Sequence, residues 1–272
     1  MMGTGKGVCP MKIVTLVENT SCRPDLGAEH GLSLYLEIGS RKVLFDSGQT
    51  GLLAENAEKL GVDLSQVDTV ILSHGHYDHG GGLFTFMDLN SSAPIYASDS
   101  CFDDYYNGTK KYIGLNPMLR DSRRFRLISE ITDLGDGMTL TPGRFVLTQH
   151  KVPYQGLNVR HKSRYCPDCF LHEQYLTVRE QGKTVLFSGC SHRGILNIAQ
   201  HFQPDVLIGG FHFKKLDPEN DRPQLVSSAK ALLDLPTDYY TCHCTGQAQY
   251  QVLKQVMGDR ISYLSAGSQL EL

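Results

Sequence analysis

The sequence predicts an α/β fold in which short apolar strands alternate with amphipathic helices. Three observations predict it. Apolar runs recur between turn signals, and helical spacing follows most of them. Five of these runs end in a residue that can bind a metal or a proton: Asp46, His74, Cys190 with His192, His212 and His243. Ligands of α/β sheets collect outside the carboxyl ends of the strands. The five ends are therefore expected to form one site built from both halves of the chain.

Taken in order, Lys12 to Glu18, Leu32 to Ile38 and Lys42 to Phe45 read as strands, the third ending in Asp46-Ser47-Gly48. Gly51 to Leu60 reads as a helix with Leu53, Ala57 and Leu60 on one face. The Thr69 to Ser73 strand runs into a histidine cluster, a helix starts near Gly81, and Ala93 to Ala97 is a short strand. Residues 101–170 break the pattern. They are expected to form an irregular basic and aromatic insertion, either a lid over an anionic or aromatic substrate or a solvated basic face. Tyr105, Arg123 and Arg124 are its candidate substrate contacts. Tyr175 to Arg179 and Thr184 to Phe187 read as a hairpin, followed by a helix from Gly194 to His201 and a strand from Asp205 to Ile208. A helix over Pro223 to Leu233, a strand over Tyr239 to Thr241, a helix over Gln247 to Met257 and a strand from Ile261 to Ser265 complete the series.

The densest chemistry is His74-Gly-His76-Tyr-Asp78-His79, four candidate ligands within six residues directly after a buried strand. Imidazole and carboxylate together suit zinc, iron or manganese. A loop lets such side chains converge, as a strand would not. Asp78 can bind metal, orient a water or take its proton. The glycines at 80, 81 and 82 are expected to let the backbone approach a bound group, and the helix start to favour an anion.

Composition narrows the class. With 40% hydrophobic and 20% charged residues and a formal net charge of -3, the chain is ordinary for a soluble globular protein and does not announce nucleic acid. No apolar run approaches a membrane span, and Met1 to Pro10 lacks a secretory pattern, so a cytoplasmic protein is expected. Residues 1–10 read as an N-terminal extension, 11–272 as a single domain, and a homodimer is compatible with the chain. Eight cysteines, in such a compartment, read as thiols, redox sites or ligands rather than a disulfide framework. Cys166-Pro-Asp-Cys169 has the spacing of a zinc knuckle but lacks a second pair nearby.

The histidine motif, with Asp46 upstream in Leu-Phe-Asp-Ser-Gly, resembles the metallo-β-lactamase superfamily over nearly the whole chain. Leu16-Val-Glu-Asn19, Glu29-His30-Gly31, Ser188-Gly-Cys-Ser-His192, Gly209-Gly-Phe-His212 and His243-Cys-Thr-Gly246 resemble its dihydropterin-ribofuranosyl-aminobenzene 5'-phosphate synthase-like branch. The resemblance implies an αββα four-layer sandwich of two similar halves with the metals, most simply two zinc ions, at one edge. It implies His74 and His76 for the first metal and Asp78, His79 and His243 for the second. For the remaining ligand of the first metal His192 is preferred, with His172 as the rival. Cys190 stands where most superfamily hydrolases have a bridging aspartate, and could be a soft ligand or a buried thiol. Asp46 is expected to fix a histidine tautomer. His212 would protonate a leaving group or bind substrate, and His30 is a weaker substrate contact.

The function implied is hydrolysis by metal-activated water, with Asp78 and His212 as catalytic residues. A small anionic phosphoester or phosphodiester, pterin- or nucleotide-like, is the first substrate class. A lactone or thioester hydrolase, an iron-dependent redox protein and a ligand-binding protein of the same fold are the alternatives.

Overall fold

The computed structural model describes residues 10–272. The expected N-terminal extension, apart from Pro10, lies outside the described residues, as does Cys9. In the first half the elements are β1 (Lys12–Val17), β2 (Ser33–Ile38), β3 (Arg41–Phe45), α1 (Leu52–Leu60), β4 (Thr69–Ile71), α2 (Tyr77–Gly80), α3 (Leu83–Leu89) and β5 (Ile95–Ser98). Through the middle run β6 (Asp104–Asn107), β7 (Lys111–Tyr112), β8 (Phe125–Ile128), β9 (Thr132–Gly135), β10 (Met138–Pro142), β11 (Leu157–His161) and β12 (Arg164–Pro167). The second half holds β13 (Gln174–Glu180), β14 (Lys183–Ser188), α4 (Ile195–Phe202), β15 (Val206–Gly209), α5 (Arg222–Leu233), β16 (Asp238–Thr241), α6 (Gln247–Met257), β17 (Ile261–Tyr263) and β18 (Gln269–Glu271). Among the described residues, no helix is long and apolar enough to cross a membrane.

Two seven-stranded sheets result, ordered β18-β1-β2-β3-β4-β5-β8 and β17-β16-β15-β14-β13-β10-β9. Each half begins with antiparallel pairs and then becomes parallel, β3 through β4 and β5 to β8 in one and β14 through β15 and β16 to β17 in the other. Parallel strands joined by crossover helices all point the same way. That is why the residues following β3, β4, β14, β15 and β16 can meet at one edge.

Burial divides the apolar side chains into three layers. Ile13, Leu34, Phe45 and Ile71 of the first sheet face Leu140, Leu176, Phe187 and Ile208 of the second, forming the inner core. The opposite face of the first sheet packs Leu44, Val70 and Ile95 on Leu53, Ala57 and Phe86 of α1 and α3. The opposite face of the second packs Leu186 and Leu207 on Ile198, Ala229 and Leu253 of α4, α5 and α6. Helices on the outer faces of two stacked sheets make the αββα sandwich, with each buried aliphatic or aromatic side chain contributing roughly 1.5–3 kcal/mol.

The structure differs from the sequence reading in three places. Residues 101–170 contain regular strands: β8, β9 and β10 join the main sheets, while β12-β11-β6-β7 form a separate four-stranded sheet. A small core of Tyr105, Ile113, Leu157 and Phe170 supports that sheet. The chain also does not close at Ile261 to Ser265, because β18 returns to pair antiparallel with β1 of the first sheet. Finally, Asp78 and His79 lie in the single-turn helix α2 rather than in a loop.

Candidate metal centre

The site begins with backbone in an uncommon conformation. Asp46, Ser191, His212 and His243, each just past a strand end, have φ of 59°, 56°, 55° and 50°. Non-glycine residues visit this left-handed region rarely, and it concentrates where function over-determines the backbone. Each of these turns bends the chain sharply at the sheet edge, so that side chains from these four strand ends face the histidines that follow β4.

Four histidines are oriented in the same sense. Nδ1 of His79 lies 2.6 Å from Oδ2 of Asp46, and Nδ1 of His74 lies 2.8 Å from Oγ of Ser73. Nδ1 of His192 lies 3.1 Å from Oε1 of Gln155, and Nδ1 of His243 lies 2.8 Å from Oδ1 of Asn19. With Nδ1 donating to these oxygens, each ring in its neutral form presents an Nε2 lone pair. Nε2 of His74, His76, His192 and His243 is buried and has no protein partner. Orphaned buried nitrogens are costly, and a bound cation is what relieves them.

The donors sort into overlapping sets whose ligand atoms all lie within 4.8 Å of one another: His74, His76 and His192; His74, His79 and Cys190; and His30, Asp78 and His243. Nε2 of His79 is 3.2 Å from Sγ of Cys190, and Oδ2 of Asp78 is 3.5 Å from Nε2 of His243. Such separations suit atoms about 2.0–2.3 Å from a shared ion. A divalent metal therefore fits the residues present.

His172, the rival ligand, is engaged elsewhere. Its Nδ1 accepts the Gly75 amide at 2.9 Å and its Nε2 lies 3.0 Å from Oδ2 of Asp168. It clamps the ligand loop from behind, stacked on Tyr105 with ring centroids 3.8 Å apart. The ring of His192 instead joins His74 and His76, and Phe170 stacks flat on it at 4.4 Å and 6°.

Charge follows geometry. Burial, aided by the neighbouring imidazoles, holds His74 and His192 well below the usual histidine range and lowers His76 to about 3. Burial also opposes charge on His79, but the Asp46 carboxylate overrides it and raises the ring to about 9. Burial would raise Asp78, yet the imidazoles of His243, His30 and His79 beside it hold it well below the usual carboxylate range. Burial pushes the Cys190 thiol well up.

A cavity of about 410 Å³ opens over the cluster. His30, His76, Asp78, Cys190, His192, His212 and His243 line it, with Ile113 and Leu157 as apolar walls. His30 places Nε2 3.2 Å from Oδ2 of Asp78, and both ring nitrogens of His212 are without a partner. Lys111, Lys214 and Lys215 complete the rim, and Asp78 is its only carboxylate among the described residues. The small sheet thus walls the cavity through Asn107, Lys111 and Leu157.

Other expected contacts lie elsewhere. Arg124 bonds to the carbonyls of Ala93 and Asn90 and covers Phe86, tying α3 to β8. Arg123 is exposed and Tyr105 donates to the Ser100 carbonyl, and neither lines the cavity. Gly81 and Gly82 approach the carbonyls of Gln49 and Ser47, so these glycines admit a neighbouring loop rather than a bound group.

Sequence reasoning missed the supports. The buried Glu18 accepts the His243 amide at 2.6 Å, and the buried Glu173 accepts the His192 amide at the same distance. Ser73 donates its amide and hydroxyl to Asp46, each at 2.7 Å. The Glu18 and Asn19 motif was visible in the sequence, but without a role.

A profile described as the metallo-beta-lactamase superfamily matches residues 26–156. A Methanocaldococcus jannaschii protein named 7,8-dihydropterin-6-methyl-4-(beta-D-ribofuranosyl)-aminobenzene-5'-phosphate synthase is 30% identical over 98% of this chain and 98% of its own. The crystal structure of Tm1679, described as a metal-dependent hydrolase of the beta-lactamase superfamily, superposes with a TM-score of 0.82 at 32% identity, covering 96% of this chain and 99% of that one. A diphosphatase from the PhnP family shares the fold, with a TM-score of 0.56 at 15% identity over 96% of this chain and 97% of its own.

Proposed function

Because the chain belongs to the metallo-beta-lactamase superfamily, we propose that it is a metal-dependent hydrolase of small organic phosphoesters or phosphodiesters. The observation that carries the substrate class is the rim of the cavity. Three lysines and several imidazoles surround it against one carboxylate, Asp78, which itself faces the ligand cluster. That balance favours an anion next to the histidines. A neighbouring cavity of about 260 Å³ shares His212 and Lys215 and is lined by Val152, Phe211, Phe213 and Leu216. It offers an apolar berth for the organic part of the substrate.

His74, His76 and His192 would hold one ion, and Asp78, His79, His243 and Cys190 would surround a second. Divalent ions at such donors supply a water of lowered pKa and stabilise negative charge on the group under attack. Asp78 orients the attacking water, steadied by His30. His212 donates a proton to the leaving oxygen, since its ring nitrogens face the cavity without competing partners. Lys111 and Lys214 bind the remaining phosphate charge. The name of the Methanocaldococcus jannaschii relative is a reason to include phosphorylated pterin-like compounds among the substrates tried.

The test is metal content of protein purified without chelator, followed by turnover of phosphodiesters, phosphomonoesters, a lactone and a thioester. About two zinc or manganese ions per chain with turnover confined to the phosphate compounds is the expected result. Turnover of only the lactone or thioester would overturn the substrate class. Iron without hydrolysis of any compound would overturn the hydrolase.

A further inference from the structure

Among the described residues four cysteines are buried, and they divide into two kinds. Cys101 and Cys242 sit inside hydrophobic clusters. Cys190 and Cys244 belong to none of those clusters and instead line the cavity over the histidines. They reach it from different strand ends, after β14 and β16. Their sulfurs and a ring nitrogen of His243 lie within 4.8 Å of one another. Sγ of Cys190 also faces Nε2 of His79 at 3.2 Å.

The approach of Cys244 depends on a residue without a side chain. A Cβ at Gly210 would collide with Sγ of Cys244. Within that space the Cys244 thiol donates to the Cys190 carbonyl at 3.4 Å, a weak hydrogen bond that is given up when the thiol ionises. A sulfur that only filled volume would gain more among aliphatic neighbours, as Cys242 does. This one is turned towards another sulfur and the ring of His243.

We propose that Cys244 joins Cys190 as a second sulfur donor to the metal position shared with His79 and His243, forming a dithiolate site that selects zinc over manganese and magnesium. Thiolates favour soft and borderline ions, whereas carboxylate and water donors suit the harder ones. In forming the site, two S–H bonds break, two metal–sulfur bonds form, and two protons leave to solvent. The proposal rests on the metal-centre reading and not on which reaction the protein catalyses.

The experiment is cobalt(II) substitution of the full chain, read by the sulfur-to-cobalt charge-transfer absorption in the near ultraviolet. The wild type is expected to show the band. Cys190→Ser and Cys244→Ser should each reduce it to about half at equal cobalt content, since one of two thiolates is lost. The double variant should lose it. A Cys244→Ser band of undiminished intensity would overturn the dithiolate. Cobalt bound with no band would overturn it while leaving the metal centre in place, and no bound cobalt would overturn both. Because a serine variant can misfold, the wild type is also alkylated with and without zinc and its peptides are weighed. Zinc should suppress labelling of Cys190 and Cys244 and leave the exposed Cys22, Cys166 and Cys169 unchanged. Labelling of Cys244 that is indifferent to zinc would overturn the proposal.

Discussion

Oδ2 of Asp46 lies 2.6 Å from Nδ1 of His79, with neither side chain exposed to water. The carboxylate follows β3 and the imidazole lies in α2, and the same carboxylate accepts both polar groups of Ser73. One buried anion therefore sets the tautomer of His79 directly and, through the Ser73 hydroxyl, that of His74. Replacing Asp46 with alanine should weaken metal binding about 10- to 100-fold, the usual cost of removing a partner behind a ligand. Chelator competition would measure it, and unchanged affinity would show that Asp46 serves only the fold.

The same pair gives the metal-free protein a pH dependence. His79 is raised to about 9, so between its unfolded pKa near 6.5 and about 9 the native state binds more protons than the unfolded one, and stability falls as pH rises. His76 is lowered to about 3, so below about 6.5 the unfolded state binds more protons and stability falls as pH drops. Together these two groups place their maximum near pH 6.5, with slopes of up to about 1.4 kcal/mol per pH unit for each. Urea midpoints across pH, on chelated protein, should show both limbs. His79→Gln should flatten the alkaline limb and His76→Gln the acid one.

His192 and His172 separate cleanly by substitution. His192→Ala removes a free Nε2 from the three-imidazole set and should lose the first metal. His172→Ala should retain both metals and cost about 1–3 kcal/mol, because the Gly75 amide loses its acceptor. Metal analysis and denaturation of the two variants check this. Loss of metal in His172→Ala alone would reverse the assignment.

Proton donation and anion binding should appear in different kinetic constants. His212→Ala should lower kcat by about 10²–10⁴ with metal content unchanged. Lys214→Ala should instead raise KM for a phosphodiester with kcat nearly preserved, since it removes charge from the rim and not from the reacting atoms. A kcat defect in Lys214→Ala equal to that of His212→Ala would argue against the separate roles.

Much of this protein is legible in its sequence by itself. The alternation of strands and helices, and the polar residue after each of five strands, are encoded within a few residues each, because apolar periodicity and turn chemistry are local. His74, His76, Asp78 and His79 are likewise adjacent in sequence, so their convergence needs only one turn of backbone. What the tertiary structure alone decided is which atoms face which. His192 and His172 are alike as residue types, and only their Nε2 atoms, the first without a partner and the second on Asp168, show that one ring is free and the other occupied. The return of β18 to β1 and the pairing of β6, β7, β11 and β12 escaped the sequence because strands of two to five residues carry too little alternation to reveal a register. Arg124 looks like an anion contact until it is seen among backbone carbonyls. Cys190 and Cys244 stand 54 residues apart, and nothing local brings their sulfurs together. The parallel order of β14, β15 and β16 does so, because it carries all three strand ends to the same edge of the sheet.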